Sequence, residues 1–337
     1  MDSSAIAIVG GGAWGTALSI HLARKGCPVR LWIREPDLVV RMRERHDNPV
    51  YLPGVTVPEA VSPFEDIAAT VEGMDLIIVV VPSQFARGAY REMAAATAPT
   101  AIVVVACKGI EEDSLALPLD VAGEELGQAK RMAVLSGPTF AEEVATGHPS
   151  AVVVASSDES VAQAVQRRLS SPTLRLYTNG DPVGVQIAGA LKNVIAIATG
   201  ISESLGMGTN ARAAIITRGL AEISRLGIRV GGQAATFSGL AGLGDLVLTC
   251  TGALSRNHTL GQRIGHGERL QDVLERSASV AEGVPTTRSA RRLARQVGID
   301  MPLVEEVHRI LFEDGPPQEA MERLMTRRLI SENESPE

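Results

Sequence analysis

The stretch IAIVGGGAWGTAL, residues 6–18, constrains this chain more than any other. Ile6–Val9 reads as a short buried strand. It meets Gly10, Gly12 and Gly15 in the spacing G-x-G-x-x-G, and a helical run from Thr16 to Lys25 follows. Each glycine has a physical reason. Gly10 permits a tight turn, Gly12 lets a pyrophosphate approach the backbone, and Gly15 lets helix and strand pack closely. The helix N-terminus then favours the diphosphate's charge. The spacing alone is a loose signal, but between a strand and a helix it predicts a dinucleotide site.

The first half of the chain continues this alternation. Val29–Ile33, Leu76–Val81, Ile102–Ala106, Met132–Leu135 and Val152–Ala155 read as further strands, several of them unbroken Val/Ile runs. Such runs are expected of parallel strands covered on both faces by helices. Near residue 180 the texture changes. Asn179-Gly180-Asp181-Pro182 reads as a turn, with Asp181 as N-cap and Pro182 as the first residue of a helix reaching about Leu205. Ala213, Ile216, Leu220 and Ile223 step by three and four, the stripe of a second helix ending at Gly227. Leu260–Ile264, Thr287–Val297, Leu303–Leu311 and Pro317–Leu329 are helical in texture too. The expected fold class is therefore α/β: an N-terminal Rossmann-like, doubly wound sheet domain over 1–181, followed by an all-α domain over 182–330. Residues 331–337 read as a solvated, flexible tail. Ligands of such sheets bind beyond the carboxyl ends of the strands, so the active site is expected where the helical domain closes over that edge.

Composition excludes several classes. A net charge of −7 argues against a general nucleic-acid binder. The three cysteines are odd in number and lack a C-x-x-C, which predicts neither a disulfide framework nor structural zinc and fits a reducing cytoplasm. His21, His46, His148, His258, His266 and His308 show no metal-ligand spacing, so no metal is expected. The N-terminus lacks a basic region and reads as a strand instead of a signal peptide. No apolar run is read as approaching the ~20 residues of a membrane helix.

Chemistry concentrates at a few positions. In PVRLWIRE, Arg34 and Glu35 stand at the tip of the second strand, where an NAD-only site is expected to carry an acid alone. A cation there suits a 2′-phosphate and predicts competence for NADPH, with NADH also open. Trp14 either flanks the cofactor or packs under the sheet. In VVVACKGIE and SGPTFAEEV, Lys108, Gly137 and Thr139 follow buried strands, and Ala141 opens a helix. Only four lysines stand among 28 arginines, and Lys192 is one of them. Its helical neighbours Val185, Ala188, Gly189, Ile195, Ala196 and Thr199 include no acid. Lys192 is either a snorkelling side chain or a general acid/base, whose neutral amine burial and a second cation would favour. Asp245 in GLGDLVLTC caps a helix or orients a catalytic lysine. Ser255, Arg256 and Asn257 open another helix, as a plain N-cap or as a phosphate cradle. Glu282 stands at a turn, where it would meet a ribose or an amide.

Taken in order over nearly the whole chain, GGGAWGTAL, VPS, CKGIE, SGPTFAEEV, LKNVIAI, GLGDLVLTC, SRN and AEG resemble the bacterial form of the NAD(P)-dependent glycerol-3-phosphate dehydrogenase family. The resemblance implies reversible reduction of dihydroxyacetone phosphate to sn-glycerol 3-phosphate with NADP(H) or NAD(H), feeding glycerophospholipid synthesis, in a cytoplasmic homodimer. It implies Lys192 as the proton donor/acceptor. Lys108, Gly137, Thr139, Asp245, Ser255, Arg256 and Asn257 match substrate positions. Gly10, Gly12, Ala13, Trp14, Gly15, Arg34, Lys108, Ala141, Arg256, Val280 and Glu282 match cofactor positions. Ala13 stands where many relatives carry a hydroxyl, and Gly252 where serine is common. A related β-hydroxyacid or 6-phosphogluconate-type dehydrogenase shares the plan, but SRN with Lys108 favours a phosphate ester over a plain carboxylate.

Overall fold

The Val/Ile runs of the first half assemble into one eight-stranded sheet. The computed structural model describes residues 4–127, 131–276, 280–329 and 331. Lys130 and residues 332–337 of the expected tail lie outside the described residues. The chain divides into two compact units. The first holds the residues up to Lys108 and Ala116–Gln186; the second holds Gly109–Leu115 and the chain from Ile187 onward.

In the first unit the strands are β1 (Ile6–Val9), β2 (Val29–Trp32), β3 (Asp47–Asn48), β4 (Leu52–Thr56), β5 (Val61–Phe64), β6 (Leu76–Val79), β7 (Ile102–Val105), β8 (Arg131–Ser136), β9 (Ser150–Ala155) and β10 (Leu174–Asn179). The large sheet runs β10-β9-β8-β7-β6-β1-β2-β5, and β3 and β4 form a separate antiparallel pair. β1, β6 and β7 are buried along their whole length, as their unbroken apolar sequences require. All-parallel pairing does not hold throughout, because β8 and β9 are antiparallel. The cause is the connection between them. Its only helix, Ala141–Thr146, packs on helix Ala13–Arg24 instead of crossing the sheet, and Arg24 donates a hydrogen bond to the carbonyl of Ala145. The chain therefore re-enters the sheet at the end where β8 left it.

Helix Pro182–Ser204 starts in the first unit and from Ile187 onward supplies the core of the second, with Ile187, Leu191, Val194, Ile195 and Ile197 fully buried. Its start is capped by Asp181, whose carboxylate accepts from the Gly184 N–H at 2.8 Å. This helix corrects one expectation. At 23 residues and a mean hydropathy of 1.4 it is long and apolar enough to span a membrane, and its most apolar window is 94% buried within the protein. A second segment, Ala234–Thr251, meets the same criteria with 44% of its window buried.

Helix Gly208–Arg229 also differs from its expected face. The buried stripe is Ile215, Gly219, Glu222, Ile223 and Leu226, while Ala213 is exposed. Gly227 does not end it; a Cβ there would overlap the ring of Phe237, so the glycine serves a close approach inside the helix. Ala234–Phe237, a π-helical turn at Leu240–Gly244, and helices Asp245–Thr251, Arg256–Gly265, Leu270–Glu275, Gly283–Val297, Pro302–Phe312 and Pro317–Met325 complete the unit. The last two start on proline, whose fixed φ suits a first helical turn.

Candidate active site

The glycine turn of the first unit joins β1 to helix Ala13–Arg24. Gly10 has φ +126°, a conformation that suits glycine, and its N–H donates to Trp32 O at 3.2 Å. A Cβ on Gly15 would overlap the Gly10 carbonyl, so helix Ala13–Arg24 sits against the turn only because residue 15 has no side chain. A Cβ on Gly12 would meet nothing within 4 Å. Space therefore stands open at the N-terminus of a 12-residue helix whose first turn carries no acid and no side-chain cap. The donors and the positive end of the dipole are left for an anion. A nicotinamide dinucleotide fits this turn. Ala13 opens the helix, and Trp14 is half-buried, with part of its side chain against the hydrophobic core.

A residue that the sequence did not single out holds the turn in place. Asn48 of β3 is fully buried; its amide donates to Gly11 O at 3.0 Å and to Thr16 Oγ1 at 2.8 Å. Nearby, Arg34 donates to Glu35 from Nε and Nη2 at 3.1 and 2.8 Å, and Tyr51 donates to the same carboxylate oxygen at 3.0 Å. Arg34 is an exposed side chain in an ion pair. Glu35, hydrogen-bonded to it, pushes its guanidinium above its ordinary range.

Further along the same sheet, Lys108, Gly137 and Thr139 come together after β7 and β8. Lys108 Nζ donates to Gly137 O at 3.3 Å, and Thr139 Oγ1 donates to the same carbonyl at 3.1 Å. Gly137 has φ +147° and lies so close to β9 that a Cβ would stand 3.0 Å from Val152 Cα. Ala141 begins the helix that follows.

The second unit explains the acid-free surroundings of Lys192. The acid comes from another helix. Lys192 Nζ donates to Asp245 Oδ1 and, at 2.9 Å, to Thr249 Oγ1. The lysine side chain is 8% exposed and the aspartate 1%, so the pair is buried. Thr249, a further member of this cluster, stands one turn beyond Asp245 and donates to its carbonyl at 2.6 Å. Its signal was the i, i+4 spacing to Asp245 on a short helix. The charge that faces Lys192 here is an anion, so the amine is held in an ion pair.

Ser255, Arg256 and Asn257 stand at the N-terminus of helix Arg256–Gly265. Ser255 acts as N-cap, its oxygen accepting from His258 N at 3.3 Å. Arg256 is exposed and makes no ion pair among the described residues. Asn257 is buried, and its Oδ1 accepts from Gly283 N at 3.0 Å. That bond orients the amide so that Nδ2 is its remaining, donating end. Gly283 is a junction: a Cβ there would lie 2.7 Å from Asn257 Oδ1, 2.8 Å from Ile197 Cδ1 and 3.0 Å from Asn193 O. Glu282 precedes it as the N-cap residue of helix Gly283–Val297, and Val280 is exposed. Among the described residues no group of three or more His, Cys, Asp or Glu side chains is arranged to hold a metal.

A glycine-turned, mostly parallel sheet and a helical unit with a buried lysine–aspartate pair define a two-part, Rossmann-like dinucleotide-binding protein. Residues 5–162 match the model of the NAD-dependent glycerol-3-phosphate dehydrogenase N-terminus, and residues 181–322 that of its C-terminus. A glycerol-3-phosphate dehydrogenase (NAD(P)+) of Geobacter sulfurreducens is 50% identical over 332 residues, spanning 98% of this chain and 99% of its own. The crystal structure of glycerol-3-phosphate dehydrogenase from Coxiella burnetii superposes with a TM-score of 0.92 at 43% identity, covering 96% of this chain and 99% of that one. A ketopantoate reductase family protein from Ralstonia eutropha, 18% identical with a TM-score of 0.62, covers 94% of this chain and 99% of its own and shares the fold. The chain belongs to the NAD-dependent glycerol-3-phosphate dehydrogenase family.

Proposed function

We propose that this chain reversibly reduces dihydroxyacetone phosphate to sn-glycerol 3-phosphate with NAD(P)H, and that Lys192 exchanges the proton. The bound cofactor supplies or accepts the hydride at the substrate's central carbon. In reduction, the Lys192 ammonium gives its proton to the carbonyl oxygen as that oxygen becomes an alkoxide, and the amine takes the proton back in the reverse direction. Asp245 and Thr249 hold the amine in one orientation. A positioned acid of this kind contributes about 10²–10⁴-fold.

The phosphate ester is bound by donors: the N-terminus of helix Arg256–Gly265, the Arg256 guanidinium, the Ser255 hydroxyl and Asn257 Nδ2. Lys108 and Thr139, with Gly137, form the second substrate-binding group, and Lys108 serves the cofactor as well. Gly10, Gly12, Ala13, Trp14 and Gly15 cradle the pyrophosphate. Arg34 meets the adenosine end, and Ala141, Arg256, Val280 and Glu282 complete the cofactor contacts. The observation that carries this reading is the burial of Lys192 against Asp245 in a chain of this family. The product feeds glycerophospholipid synthesis in the cytoplasm, and the enzyme works as a homodimer.

Absorbance of NADPH or NADH, followed with dihydroxyacetone phosphate and separately with tartronate semialdehyde, tests the assignment. Oxidation with the phosphate ester supports it. Oxidation with the semialdehyde alone assigns the chain to β-hydroxyacid chemistry instead.

A further inference from the structure

Two elements of the second unit carry the reactive lysine and the phosphate-binding turn, and they meet along a seam of glycines. On helix Arg256–Gly265, a Cβ on Gly261 would overlap the Ile197 carbonyl, and one on Gly265 would overlap Ser204 Oγ. From the other side, a Cβ on Gly200 would overlap the His258 carbonyl and stand 2.9 Å from Gln262 N. Helix Arg256–Gly265 thus lies backbone to backbone on helix Pro182–Ser204. At these glycines the two helices meet through backbone, with no side chain between them to set their register.

A polar side-chain contact spans the same seam. His258 is buried, and its Nε2 stands 2.9 Å from Glu203 Oε2, off the axis of a directed hydrogen bond. Glu203 also faces Arg212 Nη1 at 3.7 Å. His258 follows Arg256 and Asn257 directly, its N–H is bound by Ser255, and its carbonyl rests on Gly200. Displacing its ring therefore displaces the turn that precedes it. Glu203 lies on the same helix as Lys192, eleven residues on, about 16 Å at 1.5 Å per residue.

We propose that Glu203 and His258 are positioning residues that fix the Ser255–Asn257 turn relative to Lys192, and so set where the substrate's phosphate sits when its carbonyl meets the lysine. The inference rests on the phosphate-binding role assigned above to that turn. Neither residue is asked to touch substrate.

The test is steady-state kinetics of wild type, Glu203→Gln, His258→Gln and the double variant. Each is run with dihydroxyacetone phosphate and with unphosphorylated dihydroxyacetone, alongside NADPH binding by fluorescence and melting temperature. Each single variant is expected to raise KM for the phosphorylated ketone roughly tenfold. Its kcat stays within about twofold, and the dihydroxyacetone parameters and NADPH affinity stay unchanged. The double variant is expected to be no worse than the poorer single one, the signature of two residues acting through one contact. Unchanged KM for the phosphate ester in both singles overturns the proposal. So does an equal loss with both ketones and with NADPH, which marks general loosening, and so does full additivity. Wild type that shows no preference for the phosphorylated ketone contradicts the phosphate-binding reading itself, which separates that failure from this one. If His258→Gln does not fold, Glu203→Gln and Glu203→Asp carry the comparison, with the aspartate expected to recover part of the lost KM.

Discussion

Asp245 pairs with Lys192 across 53 residues of chain, and both side chains are removed from water. Neither is near the other in sequence, yet each accounts for the other's burial. An ammonium or a carboxylate enclosed alone is far costlier than the pair. Thr249 adds a second acceptor for the amine. Substituting Asp245→Ala strands a buried cation, at a cost of about 3–5 kcal/mol of stability. Denaturant titration should show the midpoint fall accordingly. The activity that remains should drop more than the folded fraction does, because the amine also loses its orientation.

Two glycines of the same turn should respond in opposite ways to the same added methyl group. Gly12→Ala places a Cβ in open space, so the melting temperature should stay within a few degrees while the dissociation constant for NADPH rises at least tenfold. Gly15→Ala drives a Cβ into the Gly10 carbonyl, so the fold itself should lose about 1–3 kcal/mol. Melting curves and NADPH fluorescence titration of the two variants check this. Equal loss of stability in both would contradict the geometry.

Arg34 stands at the tip region of β2 in an exposed pair with Glu35, which also receives the Tyr51 hydroxyl. Arg34→Ala removes the cation suited to a 2′-phosphate and leaves an acid that suits a bare ribose. The ratio of kcat/KM for NADPH over NADH should fall at least tenfold, with kcat for NADH nearly unchanged. Kinetics with both cofactors decide it.

Glu222 supplies a pH dependence away from the active site. It is buried on helix Gly208–Arg229, and its carboxylate accepts from the Leu303 N–H at 2.9 Å, capping helix Pro302–Phe312. Burial raises its pKa from 4.5 to about 7, against the lowering effect of the Leu303 and Val304 N–H groups and of Arg225. The folded state thus holds a proton that the unfolded chain releases near 4.5. Its contribution is fully present below pH 4.5 and is lost as pH rises through about 7, a change of roughly 3 kcal/mol at most. Glu222→Gln, neutral throughout, should flatten the fall in melting temperature between pH 5 and 8. A wild-type slope retained in that variant would contradict the assignment.

The central strands were legible because they are continuous Val/Ile runs bounded by glycine and polar turns. β5 was not, because Val-Ser-Pro-Phe contains a proline that only an edge strand tolerates. β10 was missed for a related reason. Leu174–Asn179 lies at the opposite edge, where buried Leu174 and Leu176 alternate with exposed Arg175 and Tyr177. The antiparallel pairing of β8 and β9 was hidden because a short helix between two strands ordinarily signals a crossover. In the helical unit, the stripe expected along helix Gly208–Arg229 went astray at Glu222, a buried acid that a hydrophobic pattern skips. At the site, spacing along one helix marked Lys192 as anomalous, and Asp245 stood among its candidate partners, but only the fold shows the two side chains paired. Asn48, Thr249 and Gly283 escaped for the same reason, since their roles are contacts made across distant chain.

The most direct test of the account removes the Lys192 amine and follows binding and chemistry separately. Lys192→Met keeps the aliphatic stem and discards the donor. Fluorescence titration with NADPH should give a dissociation constant within about threefold of wild type. Single-turnover oxidation of that bound NADPH by dihydroxyacetone phosphate should slow by about 10²–10⁴-fold. Wild-type single-turnover rates in a variant that binds NADPH normally would show that the proton comes from elsewhere, and the role assigned to Lys192 would be wrong.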